Sequence, residues 1–215
     1  MRALIFAIAL LAPTSAFAAS TPGRVAFDVF RNGQPFGTHV VEVTARDGRL
    51  EVASRAELRA GLGPLTVFHY EHVCREAWTG GALVALECST LRNGKRVRVE
   101  ARRENGVLKV ANGAGEVQFP ASALPTSWWT KPPTSLTSMI DTETGLRRPL
   151  RVVDLGRGPI DVGGRRIEAQ RIRIEGALAA DLWYDDAGRW IGCAFTARGQ
   201  RIEYRLVSPL QSAPR

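Results

Sequence analysis

Apolar and polar residues alternate with a period of two along most of this chain. In residues 49–59 and 200–207, apolar side chains at even positions alternate with arginine and glutamate at odd positions. This period gives a strand one buried and one solvated face, which is typical of antiparallel sheets. The pattern predicts strands at residues 24–31, 36–45, 49–59, 65–78, 82–92, 95–103, 107–111, 116–119, 149–155, 165–175, 178–185, 189–197 and 200–207.

Asn-Gly pairs separate several of these segments. Each asparagine of the sequence is followed by glycine, at Asn32, Asn93, Asn105 and Asn112. Both residues tolerate the positive φ of a type I′ turn, so the pair is a strong hairpin signal. We therefore predict a mainly β protein, a meander of about twelve strands that forms a single curved antiparallel sheet or incomplete β-barrel, with at most one or two short helices.

The segment 120–148 departs from this pattern. It is rich in proline, threonine and serine, yet it carries Trp128, Trp129, Met139 and Ile140. It predicts one long aromatic loop, with at most a short helix around 134–140. Such connections act as lids, packed plugs or binding loops. The strands on its two sides are expected to join one sheet, two separate domains being the alternative.

The first 18 residues are typical of a secretory signal peptide. Arg2 precedes an apolar run, and Ala16-Phe17-Ala18 offers a cleavage site after Ala18. No later apolar run approaches the ~18 residues that a transmembrane helix needs. We therefore expect export to the periplasm, no transmembrane segment, and a single β-rich domain over residues 19–215.

The net charge of +8 comes from 29 basic and 21 acidic residues, and most of the basic residues are arginines. Such an excess is compatible with nucleic acid, anionic lipid or acidic polysaccharide. The arginines are spread along the chain, however, and alternate with glutamate on solvated strand faces. An exported protein also rarely meets nucleic acid. The remaining partner class is a lipid or another anionic envelope component, and the oligomeric state stays open.

Three cysteines occur, at positions 74, 88 and 193. Cys74 and Cys88 each lie seven positions from Gly81, so folding the chain back about that residue would place them opposite each other on antiparallel strands. Residues in that position are near enough for a disulfide bond, provided the register is not shifted by one residue. We predict this bond, with Cys193 as a buried thiol. The cysteine spacing indicates no redox or zinc motif.

Common catalytic motifs are missing from the sequence. His72 shares a strand face with Cys74, which could begin a metal site, but no further ligand can be named. We expect no metal and no cofactor. Possible polar site residues are His72 and the acidic residues Asp141, Glu143 and Asp185. Paired carboxylates can act as acid and base, although aspartates in such segments also stabilise turns.

Four aromatic residues are candidates for contact with an apolar ligand: Tyr70, Trp128, Trp129 and Trp183. Adjacent tryptophans on a strand cannot both point inward, so one of Trp128 and Trp129 would line a groove. The alternative is that both anchor the loop.

Several segments resemble an uncharacterised family of exported Gram-negative bacterial proteins. They include Tyr70-Glu71-His72, Arg75-Glu76-Ala77-Trp78, Pro125-Thr126-Ser127-Trp128-Trp129, Ile140-Asp141-Thr142-Glu143-Thr144-Gly145 and Leu182-Trp183-Tyr184-Asp185-Asp186-Ala187-Gly188. The resemblance implies export and one β-rich unit, and it supplies no activity or catalytic residue. The strand layout is also similar to the half-barrels of periplasmic lipoprotein carriers, at the level of fold only.

Three hypotheses follow. The first is non-enzymatic binding or carriage of an apolar or anionic amphiphilic envelope ligand in the concave face of the sheet. The second is an assembly factor that offers a sheet edge or basic face to an envelope protein. The third is an envelope hydrolase that uses the carboxylates named above, so an enzymatic role stays open.

Overall fold

A computed structural model describes residues 23–62, 65–177, 179–207 and 211–212. The predicted signal peptide lies outside the described residues. The strands are β1 (Gly23–Arg31), β2 (Gln34–Arg46), β3 (Arg49–Leu62), β4 (Leu65–Thr79), β5 (Ala82–Arg92), β6 (Lys95–Glu104), β7 (Val107–Ala111), β8 (Glu116–Pro120), β9 (Ser138–Ile140), β10 (Arg147–Val162), β11 (Arg165–Gly176), β12 (Ala180–Tyr184), β13 (Trp190–Ala197), β14 (Gln200–Leu206) and β15 (Gln211–Ser212).

All strands belong to one antiparallel sheet that nearly closes into a barrel. Consecutive strands are neighbours from β1 to β8 and from β9 to β14, and β1 pairs with β14. The pairing of β1 with β14 therefore joins the strands on the two sides of the long loop. The prediction of a mainly β, incomplete barrel is confirmed. Among the residues described, no helix occurs that could cross a membrane.

The predicted strand positions agree with the structure except around the long loop. The short helix expected around 134–140 does not form. Residues 134–135 make a turn, and β9 then pairs with the start of β10. The edge of β10 offers backbone partners to residues 138–140, and this pairing forms in place of a helix. β10 itself extends to Val162, seven residues beyond its predicted end.

Three of the four Asn-Gly pairs form the predicted turns, since Asn32, Asn93 and Asn105 have φ of 48–49°. Asn112 is different because its side chain is used elsewhere. Its Nδ2 donates a hydrogen bond to the backbone oxygen of Thr144 at 2.8 Å, and its Oδ1 accepts one from the N–H of Ala114. This asparagine therefore ties the β7–β8 turn to the long loop.

A side chain connects β8, at one edge of the sheet, to the β9–β10 hairpin at the other edge. Arg147, at the start of β10, donates from Nη2 to the backbone oxygen of Gln118 at 2.8 Å. Its guanidinium also lies 4.3 Å from the centre of the Phe119 ring. A cation over an aromatic face is attracted by the ring quadrupole. Arg147 thus connects the two sides of the sheet where no ladder is formed between them.

Several side chains of the long loop pack in the barrel interior. Its buried side chains Leu124, Trp129, Met139 and Ile140 belong to the main core, together with residues from both sides of the sheet. Of the three interpretations of residues 120–148, the structure supports a packed plug. A second, smaller apolar cluster lies beyond this core, where the β1–β2, β5–β6 and β13–β14 turns meet.

Candidate functional site

Three polar side chains and one alanine form a row across the inner face of four consecutive strands. His39 on β2 is opposite Ala56 on β3, Ala56 is opposite His72 on β4, and His72 is opposite Thr90 on β5. We call these four residues the histidine row. The row follows directly from strand alternation, because each member has an apolar neighbour two positions away on the same inner face.

The disulfide bond lies two residues from this row along β4 and β5, on the side of the main core. Cys74 and Cys88 are directly opposite in the β4–β5 ladder and are bonded, so the predicted pairing is confirmed. His72 lies between two fixed neighbours. Its Nε2 is 3.1 Å from Cys74 Sγ, and its Nδ1 is 2.8 Å from Thr90 Oγ1. Burial lowers the pKa of His72, an effect that the nearby Glu143 and Asp141 carboxylates oppose.

His39 is the most isolated member of the row. Neither of its ring nitrogens has a hydrogen-bond partner among the described residues. Its ring lies 5.5 Å from Trp190 and 5.7 Å from Tyr204, in edge-to-face geometry. Burial, with a smaller effect of His72, lowers the pKa of His39 to about 3, so the imidazole is neutral. It therefore holds one free donor and one free acceptor.

The predicted residues Tyr70 and Glu143 meet on the side of the row away from the main core. The Tyr70 hydroxyl donates to Glu143 Oε1 at 2.8 Å, and Arg92 forms an ion pair with the same carboxylate. The guanidinium of Arg92 also lies 5.4 Å from the centre of the Tyr70 ring. Arg92 and Glu143 are partly exposed, whereas Tyr70 is buried. This trio therefore lies between solvent and the histidine row.

The second apolar cluster lies beside this trio, at the turn end of the barrel. We call it the end cluster; its buried members are Val29, Phe36, Ala56, Leu58, Tyr70 and Ile202. Phe68, Phe195 and Tyr204 pack against it and are only partly buried. These side chains share the inner face with buried neighbours and keep part of their area accessible.

The loop tryptophans lie at the opposite end of the barrel. Trp129 is buried and donates from Nε1 to Glu76 Oε2 at 2.9 Å, and Trp78 donates to the same oxygen at 2.8 Å. Trp128 is partly buried, with an unusual φ of 62°. Its backbone oxygen accepts a hydrogen bond from the Tyr184 hydroxyl at 2.9 Å. These contacts hold the loop in the barrel and do not place either tryptophan beside Tyr70.

Two other predicted residues lie away from Tyr70. Trp183 is on the outer face, because its neighbours Leu182 and Tyr184 are buried inside. The guanidinium of Arg171 lies 5.3 Å from its ring centre. Asp185 accepts hydrogen bonds from the N–H groups of Ala187 and Arg189, as expected of an aspartate that stabilises a turn.

Asp141 also has a structural role. Its Oδ1 accepts a hydrogen bond from the N–H of Glu143, and its Oδ2 pairs with Arg148 at 2.6 Å. It thereby shapes the short turn that carries Glu143 to Tyr70. The predicted polar residues His72, Asp141 and Glu143 are thus brought into one region, and Asp185 is not.

Sequence reasoning missed His39, Glu76 and Arg92. Glu76 had a usable signal, since it occupies an inward position between Cys74 and Trp78 on the alternating β4 strand. A carboxylate at such a position requires internal donors. His39 and Arg92 likewise occupy inward positions on β2 and β5. Their roles depend on which residues lie opposite them, and this follows only from the strand register.

The chain belongs to a family whose function is undefined. Residues 27–207 match DUF6134, a domain of unknown function. The fold is similar to that of a beta-barrel-like protein of the domain of unknown function DUF1849 from Brucella abortus. The TM-score is 0.61 at 11% sequence identity, over 90% of this chain and 98% of that chain. No functionally curated protein matches the sequence.

Proposed function

We propose that this protein binds an amphiphilic ligand at the turn end of the barrel, without catalysing a reaction on it. The apolar part of the ligand lies against the end cluster, and a hydroxyl or carbonyl group forms a hydrogen bond with His39. The observation that carries this proposal is the buried, neutral imidazole of His39, whose two nitrogens have no partner among the described residues.

The energetics of His39 support the proposal. Leaving a buried polar group without a partner destabilises a protein by about 1–3 kcal/mol. A ligand that supplies the missing hydrogen bond recovers part of this free energy on binding. The partly exposed inner side chains of Phe68, Phe195 and Tyr204 provide the adjoining apolar surface. A concave, mostly apolar surface with few polar groups is typical of small-molecule sites.

Two arginines at the same end favour an anionic head group. The guanidinium of Arg31 lies 5.2 Å from the centre of the Phe36 ring, and Arg92 lies over Tyr70. Both rings belong to the end cluster. An anion at this rim would be close to Arg31, and to Arg92 in exchange for its ion pair with Glu143, while its apolar part contacts the cluster. We propose a lipid or similar envelope component as the ligand class.

The test compares two probes that differ in charge. Dioctanoyl phosphatidylglycerol and uncharged dioctanoylglycerol are titrated into the protein, and binding is followed by native mass spectrometry and by tryptophan fluorescence. We expect one molecule bound per chain, with tighter binding of the anionic probe. Arg92→Gln should reduce this preference. Arg75→Gln, a change of an exposed arginine away from the end cluster, should leave it unchanged.

His39→Leu provides the decisive variant. It removes the ligand's hydrogen-bond partner and should weaken binding of both probes by about tenfold, which corresponds to roughly 1.4 kcal/mol. The same change removes an unpartnered polar group, so the free protein should become more stable toward urea. Unchanged affinity of this variant would contradict the proposal, as would failure of the unaltered protein to bind either probe.

We also propose that the protein acts in the periplasm after export through residues 1–18. The disulfide bond supports this location, because such bonds persist in oxidising compartments. The test is expression of the full chain in a Gram-negative host, followed by osmotic shock and amino-terminal sequencing. We expect a periplasmic protein that starts at Ala19. Recovery of an unprocessed cytoplasmic chain would contradict the proposal.

A further inference from the structure

Three potential metal ligands converge beside the histidine row. The Sγ atoms of Cys74 and Cys88 and a ring nitrogen of His72 all lie within 4.8 Å of one another. The two cysteines are opposite each other on β4 and β5, and His72 precedes Cys74 by two residues on the same inner face. The sequence pattern indicates His72 and Cys74 as two possible metal ligands on one strand face. The register supplies Cys88 as the third ligand.

The imidazole ring of His72 is oriented as expected for a residue that coordinates a metal ion. Thr90 Oγ1 lies 2.8 Å from Nδ1, and Nε2 faces the sulfur of Cys74 at 3.1 Å. If Nδ1 carries the proton and donates it to Thr90, the lone pair of Nε2 points toward the two sulfur atoms. Metal-bound histidines are commonly oriented in this way by a hydrogen bond from their other nitrogen.

We propose that the reduced form of this protein binds one thiophilic d¹⁰ cation, Zn²⁺ or Cu⁺, through Cys74, Cys88 and His72. In the disulfide form the sulfur atoms are bonded to each other and do not bind the ion. A dithiol reductant breaks the S–S bond, supplies two electrons and two protons, and is itself oxidised to a disulfide. Binding of the cation then releases the two thiol protons, which leaves two thiolates and one neutral imidazole as ligands.

The chemistry of the donors determines the choice of cation. Two thiolates and an imidazole are soft or borderline ligands, which select Zn²⁺ and Cu⁺ over Mg²⁺ and Ca²⁺. The two thiolates also balance the charge of Zn²⁺ inside the protein and leave one net negative charge with Cu⁺. Cys74 and Cys88 are bonded to each other in the oxidised protein, so reduction rather than metal concentration would control when the site is formed. The disulfide would thus act as a redox switch for metal binding.

The experiment uses the full chain carrying Cys193→Ala, so that Cys74 and Cys88 are the only thiols. The protein is reduced with dithiothreitol, freed of reductant without air, and titrated with Zn²⁺ against a chromogenic chelator. Co²⁺ replaces Zn²⁺ in a parallel titration that detects thiolate-to-metal charge transfer. The oxidised protein, with the same sequence and no thiols, is the matched control. Circular dichroism follows the sheet throughout.

We expect one Zn²⁺ per reduced chain, a thiolate-to-Co²⁺ absorption band, and neither for the oxidised chain. His72→Ala should weaken Zn²⁺ binding at least tenfold, and Thr90→Val, which affects only the positioning of His72, about tenfold. Failure of the reduced chain to bind Zn²⁺ overturns the proposal, including the case in which the reduced chain unfolds and Zn²⁺ does not restore the sheet. Unchanged affinity after His72→Ala also overturns it, because the two thiols alone would then account for binding.

Discussion

The indole N–H of Trp129 donates a hydrogen bond to the carboxylate of Glu76, 53 positions away in the chain. This contact connects the long loop to β4 inside the barrel. Trp78 donates to the same oxygen, and the two indole rings meet edge to face with their centres 5.3 Å apart. A buried carboxylate is tolerated here because fixed donors replace part of its hydration. The pair therefore explains how a proline-rich loop is held in a fixed position.

Trp129→Phe should lower the free energy of unfolding by about 1–3 kcal/mol, because the change removes one donor from a buried acceptor while keeping an aromatic ring. Urea denaturation measures the effect. Trp128→Phe is the matched control, since the side chain of Trp128 is only partly buried, and it should change stability by less than about 1 kcal/mol. Equal effects of the two changes would contradict the role assigned to Glu76.

Glu76 should also make stability depend on pH. Burial raises the pKa of Glu76 above its ordinary value of 4.5, against the opposing hydrogen bonds from Trp129 and Trp78. The folded protein therefore binds a proton at a pH where the unfolded chain does not. This group disfavours folding above its folded-state pKa, and the penalty is relieved as the pH falls from that pKa toward 4.5.

The measurement is the difference in unfolding free energy between the wild type and Glu76→Gln across this pH range. The difference should shift in favour of the wild type as the pH decreases. Because the variant lacks the titrating group, all other carboxylates cancel in the comparison. A difference that is independent of pH, or one that shifts in favour of the variant, would contradict the raised pKa.

The disulfide bond should contribute strongly to stability. Cys74 and Cys88 are 14 positions apart, and closing a loop of about this size stabilises a protein by roughly 3 kcal/mol. We expect dithiothreitol to lower the free energy of unfolding by about this amount in urea titrations without metal. Cys193→Ala should show the same loss, because Cys193 is a free buried thiol. Disappearance of the loss in that variant would contradict the assigned pairing.

Gly37 should not tolerate a side chain. It has a φ of 156°, and a Cβ atom would lie 1.9 Å from the backbone oxygen of Glu57 on the paired strand. Gly37→Ala should destabilise the protein by about 3 kcal/mol or more, as strongly overpacked sites do.

Gly33→Ala is the control for this change. Gly33 has a φ of 78° and open space around its Cα, so alanine there introduces backbone strain alone, about 1 kcal/mol. Thermal unfolding ranks the two variants. A smaller effect at Gly37 than at Gly33 would show that the close approach of β3 does not constrain this position.

The local pattern was enough to predict most strands, because strand alternation and Asn-Gly turns act over a few residues. The predicted pairing of Cys74 with Cys88 depends in addition on a bulge between Ala77 and Trp78, because the turn at Gly80-Gly81 alone would place Cys74 opposite Glu87. The region of 134–140 was harder, because its few residues have no strong pattern of their own. Only residues 138–140 become a strand, through pairing with β10, a contact that local sequence does not encode.

The candidate site also combines relations that the local sequence determines with relations that depend on tertiary contacts. The sequence by itself determined which side chains share a face of each strand, and thus that His72 accompanies Cys74 and that Tyr70 points inward. Only the tertiary structure decided that His39 lies in the same row as His72, that Arg92 and Glu143 meet at Tyr70, and that Trp129 lies at the other end of the barrel. These relations depend on the order of strands around the sheet and on the path of the loop through it. Both result from the packing of residues that are distant in sequence.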